Sequence, residues 1–214
     1  MQLALATIFC TSFVLALSGA LMPGPLLTVT VSESSRRGTI TGPLMIFGHG
    51  LLELALIVAL LSGLAPFLVR DDVFVFISLA GGAVLLFMGT TMLRSLPDQV
   101  MASPASSPDS RNLIVAGLVL SAVNPYWLIW WASIGLGYIM HSMKFGILGV
   151  TAFFCGHILA DLAWYTLVSF GIARGRHMLG NGLYRKLIGG CAIFLIVFAC
   201  WFVYSGVNRA IHVF

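Results

Sequence analysis

FGHGLLELALIVAL at 47–60 and CGHILADLAWYTLV at 155–168 are apolar stretches that each carry a histidine four residues before an acid. The pairs are His49 with Glu53 and His157 with Asp161, and a spacing of four sets each pair on one face of a helix. An ionisable group inside a membrane helix is costly, and it faces a pathway or a partner in preference to lipid. Two such pairs, 108 residues apart (157 − 49) in a chain of 214, mark the polar centre of a membrane protein built from two related halves.

The surrounding composition agrees. The chain is 59% hydrophobic and 8% charged, where a soluble domain carries roughly 25% charged residues. Spans of about 20 apolar residues fill this length six times. The expectation is an all-α integral membrane protein, a single transmembrane domain over 1–214. No extramembrane catalytic domain fits, and no nucleophile constellation or acidic metal cluster stands at a membrane surface, so the chain reads as a non-enzyme without a cofactor. The net charge of +4 comes from basic residues beside the ends of apolar segments, which are topology signals and not a nucleic-acid interface. Cys10, Cys155, Cys191 and Cys200 all fall inside apolar runs and form no CxxC. They are expected to be small buried side chains, neither a redox pair nor zinc ligands. The opening MQLALATIFCTSFVLALSGALM lacks a basic n-region and is too long for a signal-peptide core, so it reads as the first span.

The apolar segments run 3–32, 40–65, 73–94, 113–140, 145–172 and 187–207. LPDQVMASPASSPDS at 96–110 has the composition of a flexible linker, which divides the chain into repeat one (1–96), linker (97–110) and repeat two (111–214). Arg36, Arg37, Arg94, Arg111, Arg174, Arg176, Arg185 and Lys186 follow spans one, three and five, against Arg70, Lys144 and Arg209 on the other side. That bias places the odd loops in the cytoplasm and both termini outside.

An offset of 108 matches Gly48-His49 with Gly156-His157, Glu53 with Asp161, and Gly81-Gly82 with Gly189-Gly190. A slightly smaller offset matches SGALMPGP at 18–25 with SAVNPYWL at 121–128. Three spans per half is an odd number, so the second half enters the membrane from the opposite side: two inverted three-helix repeats. The alternative is chance resemblance, which explains matching leucines but not matching histidines, acids and glycine pairs in one order.

MPGP at 22–25 interrupts segment one and NPY at 124–126 interrupts segment four. Proline removes a backbone donor and clashes with the preceding turn, so Pro23, Pro25 and Pro125 are expected to break helices 1 and 4. As continuous helices these segments would measure about 45 Å and 42 Å, longer than a hydrocarbon core of about 30 Å. Each is therefore expected to form two half-helices around an irregular centre. Helix ends and freed carbonyls there can receive the carboxylate and ammonium of a cargo. Gly24 permits close backbone approach, and Asn124 offers both a donor and an acceptor. Simple kinking is the alternative.

His49, Glu53, His157 and Asp161 suit proton coupling, because burial disfavours a charged carboxylate while an imidazolium or cargo ammonium favours it. The alternative is hydrogen bonding that only ties helices together. YWLIWW at 126–131 places Tyr126, Trp127, Trp130 and Trp131 after the second break, as an interfacial belt or as a cavity wall that contacts an ammonium. Gly146, Gly149 and the two glycine pairs are expected to serve helix packing, and Gly-rich span three or six can support a homodimer.

With GALMPGP at 19–25, Gly48-His49 and Glu53 in span two, and Asn124-Pro125 opening the second half, the chain resembles the LysE/RhtB family of amino-acid exporters over 3–207. The resemblance implies a proton-driven secondary exporter of amino acids or related small zwitterionic metabolites at the bacterial inner membrane. It also implies that the family's acid in span two is Glu53. Pro23, Gly24, Pro25, Asn124, Pro125, Tyr126 and Trp127 are then the candidate substrate contacts. Many members have Asn-Pro-Lys at the second break, whereas Tyr126 stands here, without that positive charge. A divalent-cation exporter using the His–acid pairs as a transient N/O site and a non-transporting structural protein are the other readings.

Overall fold

A computed structural model describes residues 1–98, 110–175 and 180–213 of the chain, all of its regular structure helical. The linker at 97–110 lies almost wholly outside the described residues, as does Arg176. The helices are α1 (Gln2–Ala20), α2 (Pro25–Arg37), α3 (Thr41–Ala59), α4 (Ala65–Leu68), α5 (Asp71–Ser95), α6 (Ser110–Ala122), α7 (Pro125–Trp130), α8 (Leu136–Met143), α9 (Gly146–Gly175) and α10 (Asn181–Val213). Wider π-helical turns join α3 to α4 at Leu60–Leu64 and α7 to α8 at Trp131–Gly135. Among the described residues five helices are long and apolar enough to cross a membrane, or six if the pair Asn112–Ala122 and Pro125–Met143, bent by 61°, counts as one span.

Local chemistry sets the ends. Gly24 caps α2 in extended conformation and Pro25 takes its first position, where a missing N–H is harmless. Arg36 and Arg37 sit in the last turn of α2, bound to Glu33 at 3.2 and 2.5 Å, and favourably placed against the helix dipole. Gly38, at φ +84°, closes it in a conformation open to glycine. Asn124 caps α7 by accepting from the Tyr126 amide at 3.1 Å, and Pro125 follows at the first position. Within the second span, Gly63 leaves helical geometry at φ +113° and turns the chain into α4.

Segment one departs from the expected two half-helices. Its interruption at 21–24 leaves α1 with 19 residues and α2 with 13. At 1.5 Å per residue α1 is about 28 Å long, close to a full crossing by itself.

Helix α5 packs along α10, α1 along α9, and α3 against both α6 and α9. Glycines permit the close crossings. A methyl at Gly48 would strike the Ile114 carbonyl, and one at Gly117 the Met45 carbonyl, so α3 and α6 meet backbone to backbone. In the α1–α9 crossing a methyl at Gly156 would strike the Phe9 carbonyl, and Ser12 Oγ donates to the Phe153 carbonyl at 2.7 Å. Gly82 and Gly89 face the Ala199 and Ala192 carbonyls of α10, and Gly81 seats Pro125. These glycines of span three serve packing within the chain. The expectation for Gly146 and Gly190 fails, since a methyl would meet open space at either. Gly146, at φ +65°, serves a turn.

The cysteines also correct the sequence reading. Cys10, Cys155 and Cys200 are exposed and Cys191 is half-buried, all four free thiols. Large apolar side chains are exposed along the helices, with Phe76 72% and Phe87 71% exposed. Hydropathy does not separate a lipid-facing position from a core one, because lipid is as apolar as a core. Arg209 of α10 bonds Asp71 of α5 at 2.6 and 2.8 Å, which sets the end of α10 beside the start of α5.

Candidate functional site

Both His–acid pairs point into one place. His49 Nε2 and His157 Nε2 each lie 3.1 Å from Glu53 Oε1, so the pairs read separately in sequence share one carboxylate oxygen. Asp161 Oδ2 stands 3.4 Å from His157 Nε2 and 3.7 Å from His49 Nε2. All four side chains are buried. Two indoles complete the surroundings, since Trp127 Nε1 and Trp131 Nε1 donate to Glu53 Oε1 at 3.1 and 3.0 Å. An indole only donates, so that oxygen is a pure acceptor.

Four nitrogens around one oxygen exceed its two lone pairs. Asp161 Oδ2 faces the same two imidazoles at ion-pair distance without hydrogen-bond geometry. A second network orders His49: Ser121 Oγ lies 2.7 Å from both the Gly117 carbonyl and His49 Nδ1. The hydroxyl has one proton, which the carbonyl takes, so Ser121 accepts from His49 Nδ1–H. This fixes Nε2 as the nitrogen facing the acids, with a shared proton needed between it and the carboxylates. Glu53 Oε2, Asp161 Oδ2 and His157 Nδ1 are buried without hydrogen-bond partners. Three such atoms in one cluster define a place for a group that donates or carries positive charge.

The cluster opens on a cavity of about 60 Å³ whose wall includes Pro23, Gly24, Asn124, Tyr126, Trp127 and all four cluster residues. Nine of the eleven sequence candidates are thereby brought together. Pro25 and Pro125 are absent from the described wall: both are buried at first helical positions and act through helix starts. Trp127 lines the cavity with its N–H already committed to Glu53. The two interruptions meet here, because a methyl on Gly24 would lie 3.4 Å from Asn124 Nδ2.

Sequence reading missed Ser121, Tyr165 and the α10 residues Phe194, Leu195 and Phe198, all on the wall. Tyr165 follows Asp161 by four residues on the same face as His157, a spacing that could have revealed it. Trp131 likewise follows Trp127 by four. Nothing in the sixth apolar segment marks Phe194 or Phe198.

A buried acid–imidazole cluster opening on a cavity at the centre of a multi-pass helical bundle is the arrangement of a membrane transporter. The chain belongs to the LysE type translocator family, whose model matches residues 17–206. It is 24% identical over 206 residues to the Bacillus subtilis protein named "Putative amino acid efflux protein YcgF", covering 94% of this chain and 98% of that one. It is 28% identical over 176 residues to the Pseudomonas aeruginosa "Chemotactic transduction protein ChpE", covering 77% and 84%. No solved structure matches the chain.

Proposed function

We propose that this protein is a secondary active exporter of amino acids or related small zwitterionic metabolites, driven by proton exchange at His49, Glu53, His157 and Asp161. The observation that carries the reading is the convergence of both His–acid pairs and both Pro-containing interruptions on one cavity. Protons shared between imidazole and carboxylate can leave when a cargo ammonium takes their place. The cargo carboxylate goes to the start of α2 at Gly24, where the helix end favours an anion, beside the Asn124 amide. The efflux named for the B. subtilis relative favours the outward direction.

The architecture belongs to the same proposal: one transmembrane domain over 1–214, with repeat one at 1–96, a linker at 97–110 and an inverted repeat two at 111–214. Paired crossings support it. Gly48 of α3 against Ile114 of α6 corresponds to Gly156 of α9 against Phe9 of α1, and Met45 against Gly117 corresponds to Phe153 against Ser12. Placement in the inner membrane rests on the resemblance to the exporter family, and both termini outside on the basic-residue bias.

A divalent cation as cargo is the second reading, since ligand atoms of the four cluster residues lie within 4.8 Å of one another. The two indole donors on Glu53 Oε1 weigh against it, because they leave a metal ion only the other oxygen of that carboxylate.

The test is flux in liposomes under an imposed proton gradient, with labelled amino acids and divalent metals, for the parent, Glu53→Gln and Asp161→Asn. Amino-acid flux lost in both folded variants is the expected result. Metal flux moves the assignment to the cation reading, and full flux in both variants removes the cluster from coupling.

A further inference from the structure

We propose that the cargo is an amino acid with a bulky apolar or aromatic side chain, an inference that rests on reading this cavity as the cargo site. The cavity lining has two unlike parts. On the polar one, Glu53 Oε2 and Asp161 Oδ2 lack hydrogen-bond partners, in side chains only 1% and 7% exposed that line the cavity. They accept the cargo ammonium. An apolar part of the lining is built from Tyr126 of α7, Phe194, Leu195 and Phe198 of α10, and Leu85 of α5. Its rings form a continuous face: Tyr126 stands 5.4 Å from Phe198, and Phe198 stacks on Phe194 at 5.5 Å with 25° between planes.

The charge inventory of the wall decides between side chains. Among the described residues, no lysine or arginine lines the cavity, and its acids are the two of the cluster. A basic side chain would compete with the cargo's own ammonium for those two carboxylates, or leave water for rings that return only part of its hydration. An acidic side chain would meet only His49 and His157, which Glu53 and Asp161 already pair. The cavity of about 60 Å³ holds no whole amino acid as it stands, so the cargo enters as the helices part; a small side chain then leaves the aromatic face uncovered, whereas a leucine or phenylalanine side chain buries apolar area against it.

Because Trp127 and Trp130 line the cavity, indole emission reports occupancy directly. The full-length protein in detergent is titrated with phenylalanine, leucine, alanine, lysine and glutamate. Phe198→Ala, Phe198→Leu and Asp161→Asn are titrated alongside, with helical circular dichroism and monodisperse elution as checks of folding. Phenylalanine and leucine are expected to saturate at concentrations at least tenfold below the other three. Phe198→Ala brings phenylalanine to the level of alanine, Phe198→Leu retains leucine, and Asp161→Asn weakens every ligand at least tenfold. Lysine, glutamate or alanine binding as tightly as phenylalanine overturns the inference, as does a phenylalanine preference that survives both Phe198 variants; loss in Asp161→Asn would then still uphold the cavity as the cargo site. Binding unaffected by Asp161→Asn, or binding of none of the five, overturns both.

Discussion

Ser121 Oγ accepts a hydrogen bond from His49 Nδ1–H at 2.7 Å while donating one to the Gly117 carbonyl at the same distance. The hydroxyl links α6, just ahead of the second interruption, to the cluster on α3, and it leaves His49 one way to face the acids. Ser121→Ala strands a buried donor, at a cost of about 1–3 kcal/mol, and releases the choice of protonated nitrogen. The pH profile of flux is expected to change in Ser121→Ala and to return to that of the parent in Ser121→Thr, which keeps the hydroxyl. An unchanged profile in the alanine variant would remove Ser121 from the proton arrangement.

Trp131 is fully buried and its N–H reaches Glu53 Oε1 at 3.0 Å. Trp131→Phe keeps a ring in place and deletes the donor. A hydrogen bond to a charged acceptor contributes about 1.5–3 kcal/mol, so the variant is expected to melt at lower temperature and transport more slowly. Trp127→Phe acts on the same oxygen, and the double variant is expected to be non-additive. Strict additivity in thermal melts would mean that the indoles do not share an acceptor.

Gly48 and Gly117 let α3 and α6 meet backbone to backbone. Alanine at either position forces the helices apart, and overpacking of this kind costs about 1–3 kcal/mol. Gly171 and Gly137 face open space, so alanine there is expected to be neutral or slightly stabilising. Thermal unfolding in one detergent separates the two groups, and equal melting of Gly48→Ala and Gly171→Ala would contradict the crossing.

The Arg209–Asp71 pair joins the end of α10 to the start of α5 by two contacts, yet both side chains are substantially exposed, at 55% and 41%. Exposed ion pairs contribute under about 1 kcal/mol. Arg209→Gln is expected to leave flux unchanged and to shift melting by only a little, more at low salt than at high salt. A large loss of stability would show that the pair locks α5 to α10.

Much of this arrangement is legible in the sequence because it is local. Four-residue spacing exposes each His–acid pair, and proline marks Gly24-Pro25 and Asn124-Pro125 as helix starts. Spacing alone does not show that His157 of α9 reaches Glu53 of α3, since that contact is a product of the α3–α9 packing. Ser121 escapes notice because one serine in an apolar run has no periodic partner, and Phe198 because an aromatic in a lipid-facing helix looks the same as one on a cavity wall. The cysteines show the same blindness from the other side, apolar enough for a core yet placed on the outer surface. Nor does MPGP at 22–25 tell how long the helix before it is, which is 19 residues.

Glu53 Oε1 gathers contacts from His49 on its own helix, from Trp127 of α7 and Trp131 in the following turn, and from His157 of α9, all at 3.0–3.1 Å. Such contacts weaken beyond about 3.2 Å, so even a small slide of any one of these helices strands a donor on it. Displacement of the helices and redistribution of charge on this oxygen are thus a single event. Under the proposed proton exchange, a proton on this oxygen would release α7, the turn after it and α9 together, which would make one atom the interlock of the bundle.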